Sequence, residues 1–549
     1  MYKFEKYFLP FILLLGLSLR GLNPTFGSPS LYVLNDEAIA HLAALNMVAN
    51  KTLSSIAYYP PLGAYLQLPF IGLVFVVMKI LGIVKNISDF EFLLLTHQGY
   101  LLFIPRIISA FFGALSILVL YKITKFLFGK REIALTAAFL AAVSFNLVHA
   151  SHFAKPWPAA IFFFLLAVYL ALKNKVFWSF LSAVISFGFL QIGVFALPIV
   201  LLIFWKDRTK ILPYFAIAVL LMIVFNQLTT HSTPQDALLK FGRETFVWDI
   251  ARGTFSIDSV LKTFVENNTF YFVRNILVTD FVIFVFALLS LVHFAKFNFY
   301  GKLILFYITA YFLLASVFLL PHLHYLLPIT ALLIPFAAFG VYRLINNDLL
   351  GQRKTLKFLL LAVTILSAST NSVYWNWLYL KTPTFIQVHQ WIESNLAKNT
   401  PISYLGGRYQ TFVPNRQAID YLQNINPTAY GKLKYFLPER DSENIRNIIF
   451  TNDFYGKDKI GKFKNATKNY PVDYVVDYYL NFNDRIYLAD PSNFEIVAHF
   501  NPIKNRQMFN LPEPLFEASS NFPTAQNNIE ISMYQLERIG PYFDVLKVK

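Results

Sequence analysis

The sequence Asn35-Asp36-Glu37-Ala38 sets two carboxylates side by side, shortly after an apolar run that closes on Arg20. An aspartate facing a hydroxyl can serve as a general base, and a neighbouring carboxylate can orient the acceptor or hold a cation. Cationic and polar groups recur at the ends of other apolar runs: Arg106, then His152 and Lys155, then His324-Tyr325. Guanidinium and ammonium groups so placed can neutralise an anionic leaving group such as a phosphate. Histidine is the weaker clamp, being only partly protonated near neutrality. Each of these residues also has a plainer reading. Asp36 could cap a helix N-terminus, with Glu37 favoured by the helix dipole, and Arg20 and Arg106 could reach for a membrane interface. His322-x-His324 is too sparse to define a metal site, and no metal or other cofactor is expected.

The elements that must position these groups are membrane helices. Of 549 residues, 56% are hydrophobic and only 14% charged, and 58 are phenylalanine. Soluble domains carry about 25% charged residues, and the mean hydropathy here is +0.50. The chain has no cysteine, which excludes disulfides, thiolate metal sites and cysteine nucleophiles. The net charge of +16 is spread in short clusters between apolar segments. With no continuous basic stripe, nucleic acid is not an expected partner.

A crossing needs about 20 apolar residues. Runs of that kind are expected near 7–19, 104–126, 132–150, 157–173, 176–190, 192–205, 211–229, 276–295, 302–320, 323–342 and 356–376. Loops rich in Lys and Arg, such as Lys122–Arg131 and Lys206–Lys210, alternate with longer loops richer in acids and aromatics. The positive-inside rule puts the basic loops in the cytoplasm. About eleven crossings follow, with the N-terminus inside and the C-terminus outside, in a multi-pass protein of the cell (plasma or inner) membrane. Residues 62–84 are apolar enough to cross, but counting them would invert every later basic loop. They read as a helix in the outer leaflet, followed by a second near Phe90–Tyr100. The short pair 176–190 and 192–205 meets at Gln191-Ile192-Gly193. A polar Gln191 at that depth is costly unless it faces a cavity or has its amide satisfied within the hairpin. Loop 230–275, with Arg243, Trp248 and Asp249, reads as a packed lid.

Beyond Trp377 the long apolar runs stop. From Lys381 onward there are 19 basic and 17 acidic residues, so about +14 of the net charge belongs to the membrane part. Two domains are expected, 1–378 in the membrane and 379–549 as an external α/β domain. Thr384–Leu396 reads as an amphipathic helix. Strands are expected at 402–405, 474–478, 494–500 and 529–534.

Taken in order, Arg20, Asp36-Glu37, Tyr59-Pro60-Pro61-Leu62 and Pro105-Arg106-Ile107-Ile108-Ser109 form a pattern. It resembles the dolichyl-phosphate-mannose protein mannosyltransferase family and the related bacterial aminoarabinose transferases, both GT-C glycosyltransferases. Phe128-Gly129-Lys130, Ala150-Ser151-His152-Phe153-Ala154, His324-Tyr325-Leu326-Leu327-Pro328 and Trp391-Ile392-Glu393-Ser394-Asn395 are similar to that family too. The resemblance implies a polytopic α-helical GT-C fold with juxtamembrane helices in the first external loop. It implies transfer of a sugar from a polyprenyl phosphate to an acceptor hydroxyl on the outer face, with Asp36 as base and Glu37 as its helper. Arg106, His152, Lys155, His324, Tyr325 and Arg20 would then bind the lipid phosphate. Tyr59, Pro60, Pro61 and Gln191 would line the donor and acceptor groove, and the partners would be the lipid-linked donor, membrane lipids and a protein, lipid or glycan acceptor.

The chain departs from the family after His152, where Lys155-Pro156-Trp157-Pro158 carries no acid. That departure keeps open a member that binds lipid without turning it over. A transporter or flippase of lipid-linked sugars is the other competing class, but it would be expected to show related halves and polar groups at the midplane.

Overall fold

The structure is a computed structural model. It describes residues 2–30, 37–52, 59–97, 99–230, 273, 276–318, 323–346, 353–405, 411–425, 445–451, 463–464, 467–468, 470–479, 486, 490–502, 515–517, 530–532 and 536–549. Asp36, His322 and the loop expected as a lid lie outside the described residues.

The chain opens with α1 (Tyr2–Gly21) and α2 (Ile39–Asn50). The apolar segment expected in the outer leaflet divides into α3 (Leu62–Tyr65) and α4 (Leu68–Ile80), and α5 (Ile87–Thr96) follows. Asn86 starts α5 by accepting the Asp89 N–H at 2.9 Å, a side-chain cap of the usual kind. Only 17% of the 62–80 stretch is buried, and Leu73, Val76, Val77 and Ile80 are exposed.

The bundle continues with α6 (Phe103–Phe128), α7 (Arg131–Val143), α8 (Phe145–Ser151), α9 (Trp157–Leu172), α10 (Val176–Phe189), α11 (Ala196–Ile203) and α12 (Arg208–Thr230). It closes with α13 (Phe281–Ser290), α14 (Phe299–Phe318), α15 (Leu323–Ile345) and α16 (Lys354–Tyr379). At its centre α6 packs against α1, α7 and α9. Ala134, Ala137, Ala138, Ala141 and Ala142 on α7 are buried at that contact. Small side chains let helix backbones approach, which is how helices associate where lipid removes the hydrophobic drive.

Among the described residues, five helical stretches are long and apolar enough to cross a membrane, or six if α7 and α8 count as one bent span. The expectation of about eleven also counts apolar helices of 10–17 residues, among them Trp157–Leu172, Val176–Phe189 and Gln191–Ile203. Two details go beyond the sequence reading. Residues 132–150 are not one helix but two, meeting at 51° across Ser144. The 176–205 hairpin turns through a 3₁₀ segment, Gln191–Phe195. Gly193 is required there, because a Cβ would sit 2.3 Å from the backbone of Ser186 and Phe187.

The C-terminal part begins with α17 (Thr384–Asn395) and includes α18 (Arg416–Ile425). Its strands are β1 (Ile402–Leu405), β2 (Val413–Pro414), β3 (Ile445–Arg446), β4 (Ile448–Thr451), β5 (Tyr474–Tyr479), β6 (Phe494–Phe500), β7 (Leu515–Glu517), β8 (Glu530–Ser532) and β9 (Tyr542–Val548). Five of them form one sheet in the order β4-β1-β5-β9-β6. β4, β1 and β5 run parallel, with Ile402 level with Ile448 and Tyr474. β9 lies antiparallel between β5 and β6. The fully buried β1 and mostly buried β5 are near-continuous apolar runs, as internal strands of a covered sheet should be. Edge strand β6 alternates buried and outward residues. One apolar core runs from the bundle through Trp375, Leu378 and Tyr379 to Phe385, Tyr404 and Phe543.

Candidate functional site

The N-cap of α2 is Ala38, with no side-chain cap. Glu37 therefore does not serve the helix end. Its carboxylate receives Arg106 Nε at 2.8 Å on Oε1 and Arg106 Nη2 at 3.2 Å on Oε2. The Ala154 N–H adds a third bond to Oε1 at 3.0 Å. Both side chains are buried, 0% and 4% exposed. A buried charge must be paired and fully hydrogen-bonded to be tolerated, and this pair meets that condition. Arg106 Nη1 donates to the carbonyls of Pro24 (3.0 Å) and Phe26 (2.6 Å). The guanidinium is thus shared between Glu37 and the 24–26 turn, and it draws together α6, the start of α2 and the turn after α8.

Close to this pair lies a small, partly open cleft of about 20 Å³, with Ala40, Gly63, Pro105, Ile108, Ala159 and Phe189 among its apolar walls. Gln67, Ser109 and Lys155 are its polar lining side chains. Lys155 is buried and lies over the Trp157 ring, with Nζ 4.3 Å from the centroid. Ser109 Oγ donates to the Lys155 carbonyl at 2.7 Å, pinning the turn to α6. The arrangement offers an apolar channel with one ammonium group at its wall.

His41 was not anticipated from the sequence. It is buried on α2, with Nδ1 2.9 Å from Gln67 Oε1. Gln67 Nε2 is spent on the Gly63 carbonyl at 2.8 Å, so Oε1 accepts and the imidazole donates from Nδ1. Burial holds His41 down to about 4, the Arg106 guanidinium adding to the effect against the pull of Gln67 and Glu37. His41 is therefore a neutral ring beside a charged pair. In an apolar run one histidine gives no periodic signal, and only its place four residues after Glu37 could have drawn attention.

The remaining expected site residues are spread more widely. His152 is buried and stacks on Tyr379 with centroids 4.2 Å apart. Arg20 does not line the groove. Its guanidinium donates to Gly16 O (3.0 Å), Ala142 O (2.8 Å) and Ala141 O (2.7 Å). Pro60 and Pro61 are buried, and Pro61 precedes α3 as its N-cap. Tyr59 packs on the main core, and Gln191 opens the 3₁₀ turn two residues past the groove-lining Phe189. Tyr325 is buried near the start of α15, where its carbonyl accepts the Tyr311 hydroxyl at 2.9 Å. His324 falls in the same helix. Among the described residues no cluster of three or more His, Asp or Glu is arranged to hold a metal.

No family model matches the sequence, and no curated protein matches it significantly. Among solved structures the chain is similar to the archaeal oligosaccharyltransferase AglB from Archaeoglobus fulgidus, in complex with an inhibitory peptide and a dolichol-phosphate. Identity is 13% and the TM-score 0.49, over 86% of this chain and 69% of that one. It is also similar to ArnT from Cupriavidus metallidurans bound to undecaprenyl phosphate, at 13% identity and a TM-score of 0.48, over 89% of this chain and 95% of that one. Against ArnT in the apo state the identity is 12% and the TM-score 0.49, with the same coverage.

Proposed function

We propose that this protein is a membrane glycosyltransferase that moves a sugar from a polyprenyl phosphate to an acceptor hydroxyl at the outer face. The observation that carries the reading is the buried Glu37–Arg106 pair, bonded through the Ala154 N–H to the turn that, with Pro105 and Lys155, lines a small apolar cleft. The cleft's walls are apolar, as contact with a lipid donor requires, and the Lys155 ammonium suits the phosphate at its head. Asp36 precedes Glu37 in the chain, so the anchored Glu37 limits how far its neighbour's backbone can stray. In the reaction, the acceptor hydroxyl gives its proton to the Asp36 carboxylate while its oxygen forms a bond to the anomeric carbon. The bond from that carbon to the phosphate oxygen breaks, the electron pair leaves with the polyprenyl phosphate, and the configuration inverts. Glu37 acts as helper by holding Arg106 and the turn through Ala154. His152, His324 and Tyr325 complete the phosphate side of the proposal, Arg20 being held instead by the Ala141 and Ala142 carbonyls, and Tyr59, Pro60, Pro61 and Gln191 form the walls of the donor and acceptor path. No metal or other cofactor takes part in this scheme.

The test is incubation of the purified protein with radiolabelled polyprenyl-phosphate sugars in the presence of candidate protein, lipid and glycan acceptors. Release of free polyprenyl phosphate is expected, with loss on Asp36→Asn. Turnover that persists undiminished in that variant would remove Asp36 as the base. Movement of intact lipid-linked sugar across vesicles without its cleavage would favour a flippase.

A further inference from the structure

The break between α7 and α8 is held by two charges from distant parts of the chain. On the α7 side, the last carbonyls of a helix lack internal partners. Here Arg20 takes the carbonyls of Ala141 and Ala142 at 2.7 and 2.8 Å, and Ser372 Oγ takes that of Val143 at 2.7 Å. On the α8 side, Asp280 accepts the N–H groups of Phe145 (2.8 Å) and Asn146 (3.1 Å) and the Ser144 hydroxyl (3.0 Å). Arg20 and Asp280 are both buried, 1% and 5% exposed. Each sign matches the helix end it meets, a cation at the C-terminus and an anion at the N-terminus. Gly113 on α6 makes room, since a Cβ there would lie 2.3 Å from Ser151 Oγ and 2.9 Å from Arg20 Cδ.

What α8 carries is the turn that feeds the site. It ends at Ser151, and the next residues are His152, Ala154, whose N–H reaches Glu37, and Lys155 in the groove. We propose that Arg20 and Asp280 are positioning residues that clamp the α7–α8 break from its two ends and so set where the 152–156 turn meets Glu37. The clamp's bearing on sugar transfer rests on the function proposed above; its effect on the turn does not. Neither clamp residue lines the groove.

The test is hydrogen–deuterium exchange on the full-length protein in lipid nanodiscs. In Asp280→Ala, amides 145–147 and 152–155 should exchange about tenfold faster, the loss expected for hydrogen bonds to a buried charge, while α10 keeps its protection. Asp280→Asn retains one acceptor oxygen and should show a smaller rise in the same two segments, which also serves if the alanine variant does not fold. Arg20→Leu should loosen 152–155 likewise. Faster exchange at 145–147 with full protection at 152–155 would overturn the proposal, because the turn would then be set elsewhere. With a polyprenyl-phosphate sugar as substrate, kcat should fall while KM for the lipid holds, and Asp280→Asn should stand between wild type and Asp280→Ala. A wild type that shows no turnover counts against the transferase function alone, and the exchange result still decides the clamp.

Discussion

Glu37 and Arg106, 69 residues apart in the chain, meet in a two-point ion pair at 2.8 and 3.2 Å from which water is excluded. Removing one partner strands the other as an uncompensated buried charge, at a cost of about 3–5 kcal/mol. Arg106→Met should therefore lower the thermal unfolding midpoint in detergent markedly. Adding Glu37→Gln to it should restore most of the loss, because no lone charge then remains. An Arg106→Met variant as stable as wild type would mean the pair does not form.

Lys155 is the cationic side chain in the wall of the groove. Lys155→Gln should weaken binding of undecaprenyl phosphate about tenfold, the scale of one charge-assisted hydrogen bond. Undecaprenol, which has the same tail and no phosphate, should bind both proteins alike. Native mass spectrometry with the two lipids separates headgroup from chain, and equal loss for both would assign Lys155 to the walls.

At Gly193 a methyl group would press on the backbone of Ser186 and Phe187, whereas at Gly72 on α4 it would meet nothing within 4 Å. Gly193→Ala should cost about 1–3 kcal/mol by overpacking. Gly72→Ala should be neutral or raise stability by a few tenths, since alanine favours a helix. Parallel thermal melts of the two variants give the comparison directly.

His389 on α17 stacks on Phe412 at 4.2 Å and bonds Thr411 through Nδ1 at 2.7 Å. Glu393 Oε1 lies 3.3 Å from Nε2, but that carboxylate is about a third exposed and solvent screens it. Burial, aided by Arg446, holds His389 down to about 4 from its ordinary 6.5. The folded domain keeps the ring neutral where the unfolded chain would take up a proton. Its contribution to stability is whole above about pH 6.5 and is lost as the pH falls toward 4. Limited proteolysis of the full chain between pH 7 and 4 should show cleavage around 384–395 rising in that window. His389→Gln should flatten the rise.

Much of the helical architecture was legible because long apolar runs are physical signals of membrane-crossing helices. The run expected at 104–126 is α6, and that at 157–173 is α9. The division at Ser144 was not legible, since Val143-Ser144-Phe145 holds neither glycine nor proline and the charge that breaks the helix comes from Asp280, 136 residues on. Asp280 itself left a usable signal: an acid at the head of the apolar stretch Phe281–Leu289 demands a partner. At the site, the order of Asp36-Glu37 and Arg106 pointed to one neighbourhood, and Glu37 and Arg106 do share it. The fate of Arg20 was hidden, because its sequence position at the end of α1 suits an interfacial anchor equally well. In the C-terminal part, β1, β5 and β6 stood out as apolar or alternating runs. Strand β9 did not, since Asp544 and Lys547 interrupt it, and Asp544 is buried accepting from His499 Nδ1 at 2.7 Å and the Tyr479 hydroxyl at 3.4 Å.

The 23–26 turn ties two distant ends of the molecule together. Asn23 Nδ2 holds the carbonyl of Tyr379 at 2.7 Å, Phe26 packs on the Tyr379 ring at 4.4 Å, and the Pro24 and Phe26 carbonyls grip Arg106. Tyr379 is the last residue of α16, and α17 begins five residues later. A shift of the C-terminal part against the helices would thus be passed through these two contacts to the guanidinium that holds Glu37.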